Sequence, residues 1–208
     1  MIALLLALSG CAPPGVGPPP VPLAADQRFE AGGILTGGSM VPYSEDLRCQ
    51  YFLQACAGLS AQAYGYRAFF DHRLDVGLTA FGGNTSGFGA GGFLRLWYLD
   101  EPDFRLGGEL HAGLFWASAG VPVAKQVRPG WWLYASPSVG VRYIGLLRLP
   151  VGVSWQPNER LLFSMELGAS WDPWGLFQDP EAVFVFGSFT GAYRFRGRSG
   201  VDGLPIDE

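Results

Sequence analysis

From residue 28 onward, apolar and polar side chains alternate with a period of two, the repeat of an extended strand whose two faces differ. Residues 104–116 show it most clearly. Phe104, Leu106, Gly108, Leu110, Ala112, Leu114 and Trp116 fall on one face, and Arg105, Gly107, Glu109, His111, Gly113 and Phe115 on the other. Within 160–171, Leu161, Phe163, Met165, Leu167, Ala169 and Trp171 oppose Arg160, Leu162, Ser164, Glu166, Gly168 and Ser170. A last segment aligns Val183, Val185, Gly187, Phe189, Gly191, Tyr193 and Phe195. Comparable strands begin near Arg28, Cys56, His72 and Ser86, and no amphipathic helix interrupts them.

Alternation does not say which face meets water. A soluble sandwich or a lipocalin turns its apolar face inward, whereas a transmembrane barrel turns it outward. Three features favour the second arrangement. The polar face is built from Gly, Ser, Arg and Glu, and Lys125 is the single lysine of the chain. Aromatics gather at strand ends (Phe104, Trp116, Trp131, Tyr143, Trp155, Trp171, Tyr193 and Phe195), as interfacial girdles require. The strands also reach the ~9–11 residues of a tilted span. Charged residues make up only 15% of 208, too few to clothe a soluble surface. The net charge of −4 and the lack of a basic cluster exclude nucleic acid as a partner.

The expected fold is therefore all-β: a closed antiparallel up-and-down transmembrane barrel over 28–196. Eight strands are expected near 28–36, 56–68, 72–82, 87–99, 103–118, 137–156, 159–171 and 182–196. The odd-numbered apolar set runs unbroken from Trp131 to Trp155. A two-residue hairpin would switch its parity, so either a three-residue turn lies near Gly145, giving nine strands, or 137–156 is one long strand. Even counts are the rule, which selects eight. Ten is the second choice, with an extra strand inside 41–54. Residues 70–72, 100–103 and 156–159 become short periplasmic turns, and 37–55, 119–136 and 172–181 longer outer loops. Both ends of the barrel domain then lie on the periplasmic side.

Residues 1–10 form an uncharged apolar run, too short to span a bilayer as a helix and of the length of a signal-peptide core. It ends in Leu8-Ser9-Gly10-Cys11, which resembles the lipobox of bacterial lipoproteins. That resemblance implies cleavage before Cys11, acylation of its thiol and anchoring in the inner leaflet of the outer membrane. The basic segment that usually opens such signals is missing. Residues 12–25 are proline-rich, and with Cys11 make an extended tether (11–27) expected to act as a spacer outside any core. Cys49 and Cys56 are expected to form a local disulfide in an oxidising compartment. The segment Val183–Phe195, closing on Tyr193-x-Phe195, is similar to the last-strand signal read by the barrel-assembly machinery. That machinery is the partner implied during insertion, although the polar tail 197–208 follows the signal here.

Inside the expected barrel lie Glu30, Arg95, Arg105, Glu109, His111, Arg142, Arg148, Glu166 and Arg194, with Asp75 toward one end. Isolated buried ions are costly, so these groups are expected to pair and plug the lumen. The alternative is a narrow anion path lined by the excess arginine. Glu109-x-His111 places a possible base and its orienting group on one face. A lipid A-modifying hydrolase is therefore an alternative to the main expectation of a non-enzymatic structural or interaction barrel. A periplasmic, lipid-tethered, lipocalin-like carrier is the third reading. No metal-ligand spacing or phosphate loop occurs, and no cofactor is expected. Trp131 and Trp132, in the expected outer loop 119–136, are candidates to touch outer-membrane lipid or lipopolysaccharide, or belong to the aromatic girdle.

Overall fold

The structure, a computed structural model, describes residues 17–24, 26–41, 57–83, 87–113, 116–141, 145–171 and 183–196. Cys11, Cys49, Cys56 and Arg142 lie outside the described residues, as does the tail 197–208.

The strand segments are β1 (Gln27–Val41), β2 (Ala57–Phe69), β3 (Leu74–Gly83), β4 (Gly87–Asp100), β5 (Phe104–Gly113), β6 (Trp116–Gly120), β7 (Val123–Arg128), β8 (Trp131–Ala135), β9 (Ser138–Val141), β10 (Gly145–Asn158), β11 (Leu161–Trp171) and β12 (Val183–Arg196). Each neighbouring pair is antiparallel, and β1 pairs with β12, so the sheet closes on itself. Segments β6 and β7 both pair with β5 in one continuous register, and β8 and β9 share β10 in the same way. Each couple is one strand broken in the middle, and the result is a closed barrel of ten strands.

The breaks fall at Pro122 and Pro137. Proline has no N–H to give to a ladder and is normally confined to sheet edges, but a closed barrel has no edge. Here the ladder is carried past the prolines by their carbonyls. Val121 N donates to Pro137 O (2.9 Å), Gly107 N to Pro122 O (3.0 Å) and Ser136 N to Pro150 O (3.2 Å).

Eight strands are thus replaced by ten; residues 42–54, where the extra strand was expected, lie outside the described residues. The two added strands come from 116–141, which the pattern assigned to the end of strand 103–118, the loop 119–136 and the start of the long strand 137–156. Three connections explain the difference. Gly113 pairs with Trp116, so a two-residue link switches parity there and turns Trp116 inward, away from the apolar face on which the alternation placed it. Pro129 and Gly130 (φ 75°) make a second tight turn. Residues 142–144 link β9 to β10, three residues that keep the odd-numbered apolar set unbroken.

The outer surface is apolar. Leu78 is 73% exposed, Leu167 69% and Met165 65%, while Arg95 and Arg105 are only 1–2% exposed. On β5, Leu110 points outward and Arg105, Glu109 and His111 inward; Leu106 is half-buried. The four connections at one end are short: 70–73, 101–103, 129–130 and 159–160, with the start of β1 and the end of β12 beside them. Around that rim runs an outward aromatic belt. Trp131 stacks on Trp155 (6.0 Å), Trp155 lies against Phe163 (6.0 Å), and Phe195 contacts both Tyr193 (4.8 Å) and Phe29 (5.4 Å). Trp131 therefore belongs to the belt at the short-turn rim and not to an outer loop. Trp132 points into the barrel and is buried.

Glycine has a specific use in the wall. Tyr64 faces Gly32 across the ladder, Phe93 faces Gly77, Tyr134 faces Gly152 and Phe186 faces Gly168. Each ring is buried and lies over the strand beside it, in space a side chain would fill. A Cβ on Gly32 would sit 2.7 Å from both Gly191 O and the Tyr64 hydroxyl, whereas one on Gly33, facing outward, would be 3.7 Å from its nearest neighbour, Gln62 O. Gly32→Ala is expected to destabilise the barrel by about 1–3 kcal/mol, the usual cost of overpacking, and Gly33→Ala to change stability little. Urea titration of the refolded protein in detergent, followed by tryptophan fluorescence, compares the two; equal effects would remove the packing argument.

Candidate functional site

The tube formed by ten strands is wider than an eight-stranded one, which its own side chains just fill, because diameter grows roughly linearly with strand number. The added space is occupied by the chain itself. Residues 17–24 run inside the barrel, with Pro18, Pro19, Pro20, Val21 and Leu23 buried. The expectation of an external spacer is therefore overturned. The same property that suggested a spacer makes the segment suitable for burial. Proline carries no N–H, so an extended proline-rich chain brings mainly carbonyls into a dry interior, and few donors need to be matched.

Arginine supplies the donors. Arg95 gives one bond to Pro18 O (2.6 Å), and Arg194 gives bonds to Pro22 O (3.0 Å) and Val21 O (3.3 Å). Each guanidinium is at the same time held by a carboxylate from the wall. Arg194 Nε donates to Glu30 Oε2 (2.7 Å), across the β1–β12 seam, and the Tyr64 hydroxyl donates to Glu30 Oε1 (2.8 Å). Arg95 donates to Glu109 Oε2 through Nε (3.1 Å) and Nη2 (3.0 Å), with Asp75 at 3.9 Å. Five donors in a planar fork let one arginine serve both sides. Two of the four N–H groups of the segment are closed locally, Val21 N onto Pro19 O and Ala24 N onto the Gln27 amide oxygen. The Gln27 amide nitrogen in turn reaches Glu159 O, tying the foot of the segment to the β10–β11 turn.

Arg105 stands apart at the short-turn end. It pairs with Asp100 (2.6 Å), lies over the Trp97 ring (4.1 Å) and donates to His72 O (2.9 Å). That last bond holds a turn in which Phe70, Asp71 and His72 all have positive φ (51°, 53° and 68°), a conformation disfavoured for side chains with a Cβ.

Near the other end, a cavity of about 30 Å³ is bordered by Gly17, Glu109, His111, Tyr134, Arg148 and Glu166. It has room for a water or two and nothing larger. His111 Nε2 lies 3.5 Å from Glu109 Oε2, its ring stacks on Phe93 (5.3 Å), and its other neighbour is Gly17, where a Cβ would come within 2.8 Å of the imidazole. Glu109 also accepts from the Ser136 hydroxyl (2.5 Å).

The described members of the expected network, Glu30, Arg95, Arg105, Glu109, His111, Arg148, Glu166 and Arg194, all belong to the inner wall. They form separate groups: Glu30–Arg194, Asp75–Arg95–Glu109–His111, and Arg105–Asp100. Missing from the expectation were Tyr64, Ser136 and, above all, residues 17–24. The signal for the last was the imbalance of five lumen arginines against three glutamates and Asp75.

Comparison with protein-family models finds no match, and comparison with curated proteins finds none. Comparison with solved structures aligns the chain with bacterial outer-membrane barrels at low similarity. The NanC porin aligns over 79% of this chain and 100% of its own at 5% identity and a TM-score of 0.49. The KdgM porin, solved with oligogalacturonate, aligns over 79% and 99% at 9% identity and 0.44. Ail of Yersinia pestis, solved with sucrose octasulfate, aligns over 81% and 99% at 10% identity and 0.38. At such values the likeness fixes neither ligand nor activity.

The seam pair gives a direct test. Glu30→Gln strands Arg194 in the interior and is expected to cost about 3–5 kcal/mol. Glu30→Gln combined with Arg194→Met is expected to cost clearly less than the sum of the single changes. Urea unfolding of the four proteins measures the coupling; strict additivity would mean that the pair does not act as a unit.

Proposed function

We propose that this chain is a non-enzymatic outer-membrane barrel lipoprotein whose lumen is plugged, and which acts as a structural or interaction element of the cell envelope. The observation that carries this reading is the inversion of burial: leucine and methionine outside, arginine and glutamate inside. In water, an apolar belt around the whole molecule would drive aggregation; in lipid it is the required surface. Every described backbone strand is paired around the ring, as a hydrocarbon medium demands. All connections at one rim are short, while the other rim carries the two long ones, 42–56 and 172–182, which orients the short-turn rim toward the periplasm. Outer-membrane lipid is then the principal partner, with lipopolysaccharide at the far rim and the barrel-assembly machinery during insertion.

The plug is the N-terminal segment together with the charged wall. An open porin needs a water-filled path, and beside the buried segment the cavity bordered by Gly17, Glu109 and His111 has room for a water or two. The carrier reading is disfavoured because a lipocalin-like site needs an apolar cavity, whereas this interior is charged. The hydrolase reading is disfavoured by placement. Glu109 and His111 border, with Gly17, a cavity of about 30 Å³ inside the tube, too small for an acyl chain, and Glu109 is already bound by Arg95 and Ser136.

Two measurements test this reading. In planar bilayers the full chain is expected to show no stable open level, and a variant lacking 17–24 to show stepwise conductance, provided it keeps heat-modifiable gel mobility as a sign of folding. Open steps from the full chain would defeat the plugged reading. Val151, outward and mid-way along β10 opposite Leu167, probes the lipid face. Val151→Arg is expected to lower the stability of the vesicle-inserted barrel by about 2–4 kcal/mol if it lies near the bilayer midplane; a neutral effect would count against a membrane-facing wall.

A further inference from the structure

One stretch of the inner wall is rich in acceptors and poor in cations. Tyr134 faces Gly152, Gly152 faces Glu166 and Glu166 faces Ser188, so the three side chains share one transverse row across β8, β10, β11 and β12. Gly152 leaves the row open at one position, and the Tyr134 ring lies across it. A Cβ there would come within 2.5 Å of the Tyr134 hydroxyl, which is thereby carried over β10 toward Glu166. Tyr134, Glu166 and Ser188 are each more than nine-tenths buried. The Tyr134 hydroxyl, Glu166 Oε1 and Ser188 Oγ have no hydrogen-bond partner among the described residues. Buried polar atoms of a folded protein are normally matched, so three orphans in one row point to a ligand.

Tyr134 and Glu166 border the cavity of about 30 Å³, and Gly17, Pro18 and Pro20 of the buried segment border it with them. Pro18 and Pro20 have no N–H and so offer Glu166 no donor. The arginines that grip the segment are engaged elsewhere. Arg95 holds Glu109, Asp75 and Pro18, and Arg194 holds Glu30, Val21 and Pro22. Arg148, also on the cavity border, stands four residues along β10 from Gly152, about 13 Å at ~3.3 Å per residue. A buried carboxylate without a counter-charge is costly. The oxygens gathered here, from a carboxylate and hydroxyls, are hard ligands that suit alkali and alkaline-earth ions and not soft metals. One unmatched carboxylate balances a single positive charge, and the cavity admits a particle the size of a water. We infer that a sodium-sized monovalent cation is bound between the wall and the buried segment, ligated by Glu166 Oε1 and the Tyr134 hydroxyl oxygen, with Ser188 Oγ beside them. The ion supplies on this side of the tube the positive charge that Arg95 and Arg194 supply elsewhere. This site rests on the plugged lumen and is independent of the lipoprotein reading.

Sodium itself is the probe. The refolded full-length chain in a zwitterionic detergent is unfolded with urea over a series of sodium chloride concentrations, with choline chloride holding the ionic strength constant. An ion that binds only the folded state stabilises it with the logarithm of its concentration once that exceeds the dissociation constant. The wild-type midpoint is therefore expected to rise as sodium replaces choline. Glu166→Gln is expected to abolish the rise. Tyr134→Phe, which keeps the ring over Gly152 and removes one ligand oxygen, is expected to move the response to several-fold higher sodium. A wild-type midpoint that is the same in both salts overturns the inference, because Glu166 then carries a proton or the cavity holds only water. A rise that survives unchanged in Glu166→Gln or Tyr134→Phe overturns it too, since sodium would then act elsewhere on the barrel. A sodium-insensitive chain that stays closed in planar bilayers loses the cation and keeps the plug, whereas open steps from the full chain remove the plug and the site together.

Discussion

The structure depends on arginine side chains that are shared between wall and plug. A guanidinium buried with only a carboxylate would leave donors unmatched, and a polyproline segment buried alone would leave carbonyls unmatched. Each deficit supplies what the other lacks. Arg194 bonds Glu30 and the carbonyls of Val21 and Pro22, and Arg95 bonds Glu109 and Pro18. Removing either component would expose the other to the desolvation cost of a buried polar group without its partner. The charged lumen and the proline-rich leader are for this reason one structural element, although Arg95 and Arg194 lie far from residues 17–24 in sequence.

Much of the wall was legible from period-two alternation. The strand starting near Cys56 is observed from Ala57, that near Ser86 from Gly87, and the last runs from Val183 to Arg196. The direction of the faces was legible too, because a face of Arg, Glu, Ser and Gly without lysine differs from a solvated one. Strand count was harder. Pro122 breaks the local pattern and Lys125 interrupts the outward apolar series of β7, so 119–136 reads as a loop. Only the long-range pairing of β5 with β6 and β7 restores it as a strand.

The site was legible in its parts and not in its assembly. Alternation assigns Glu30 and Arg194 to the same side of the wall, but only closure between first and last strands puts them 2.7 Å apart. The leader was misread because proline enrichment is equally the mark of an exposed spacer and of a segment with few donors to satisfy. Composition cannot separate the two. What separates them is the set of unmatched guanidiniums elsewhere in the chain. Trp132 illustrates a smaller point of the same kind: in the tandem Trp131-Trp132 one ring must face each way on a strand, and the odd-numbered apolar set sends Trp131 outward and Trp132 inward once the segment is read as a strand and not a loop.

The seam between β1 and β12 carries a consequence for assembly. The leader is covalently continuous with β1, and the arginine that grips it belongs to β12, the last strand of the chain. Sheet closure and capture of the leader are in this way a single cooperative event. A barrel that zipped shut with the leader outside would hold Arg194 against Glu30 but with vacant donors over an unfilled tube, and a finished ladder offers no lateral slot through which to correct the error. Correct biogenesis accordingly requires the first residues of the domain to wait in place for the last.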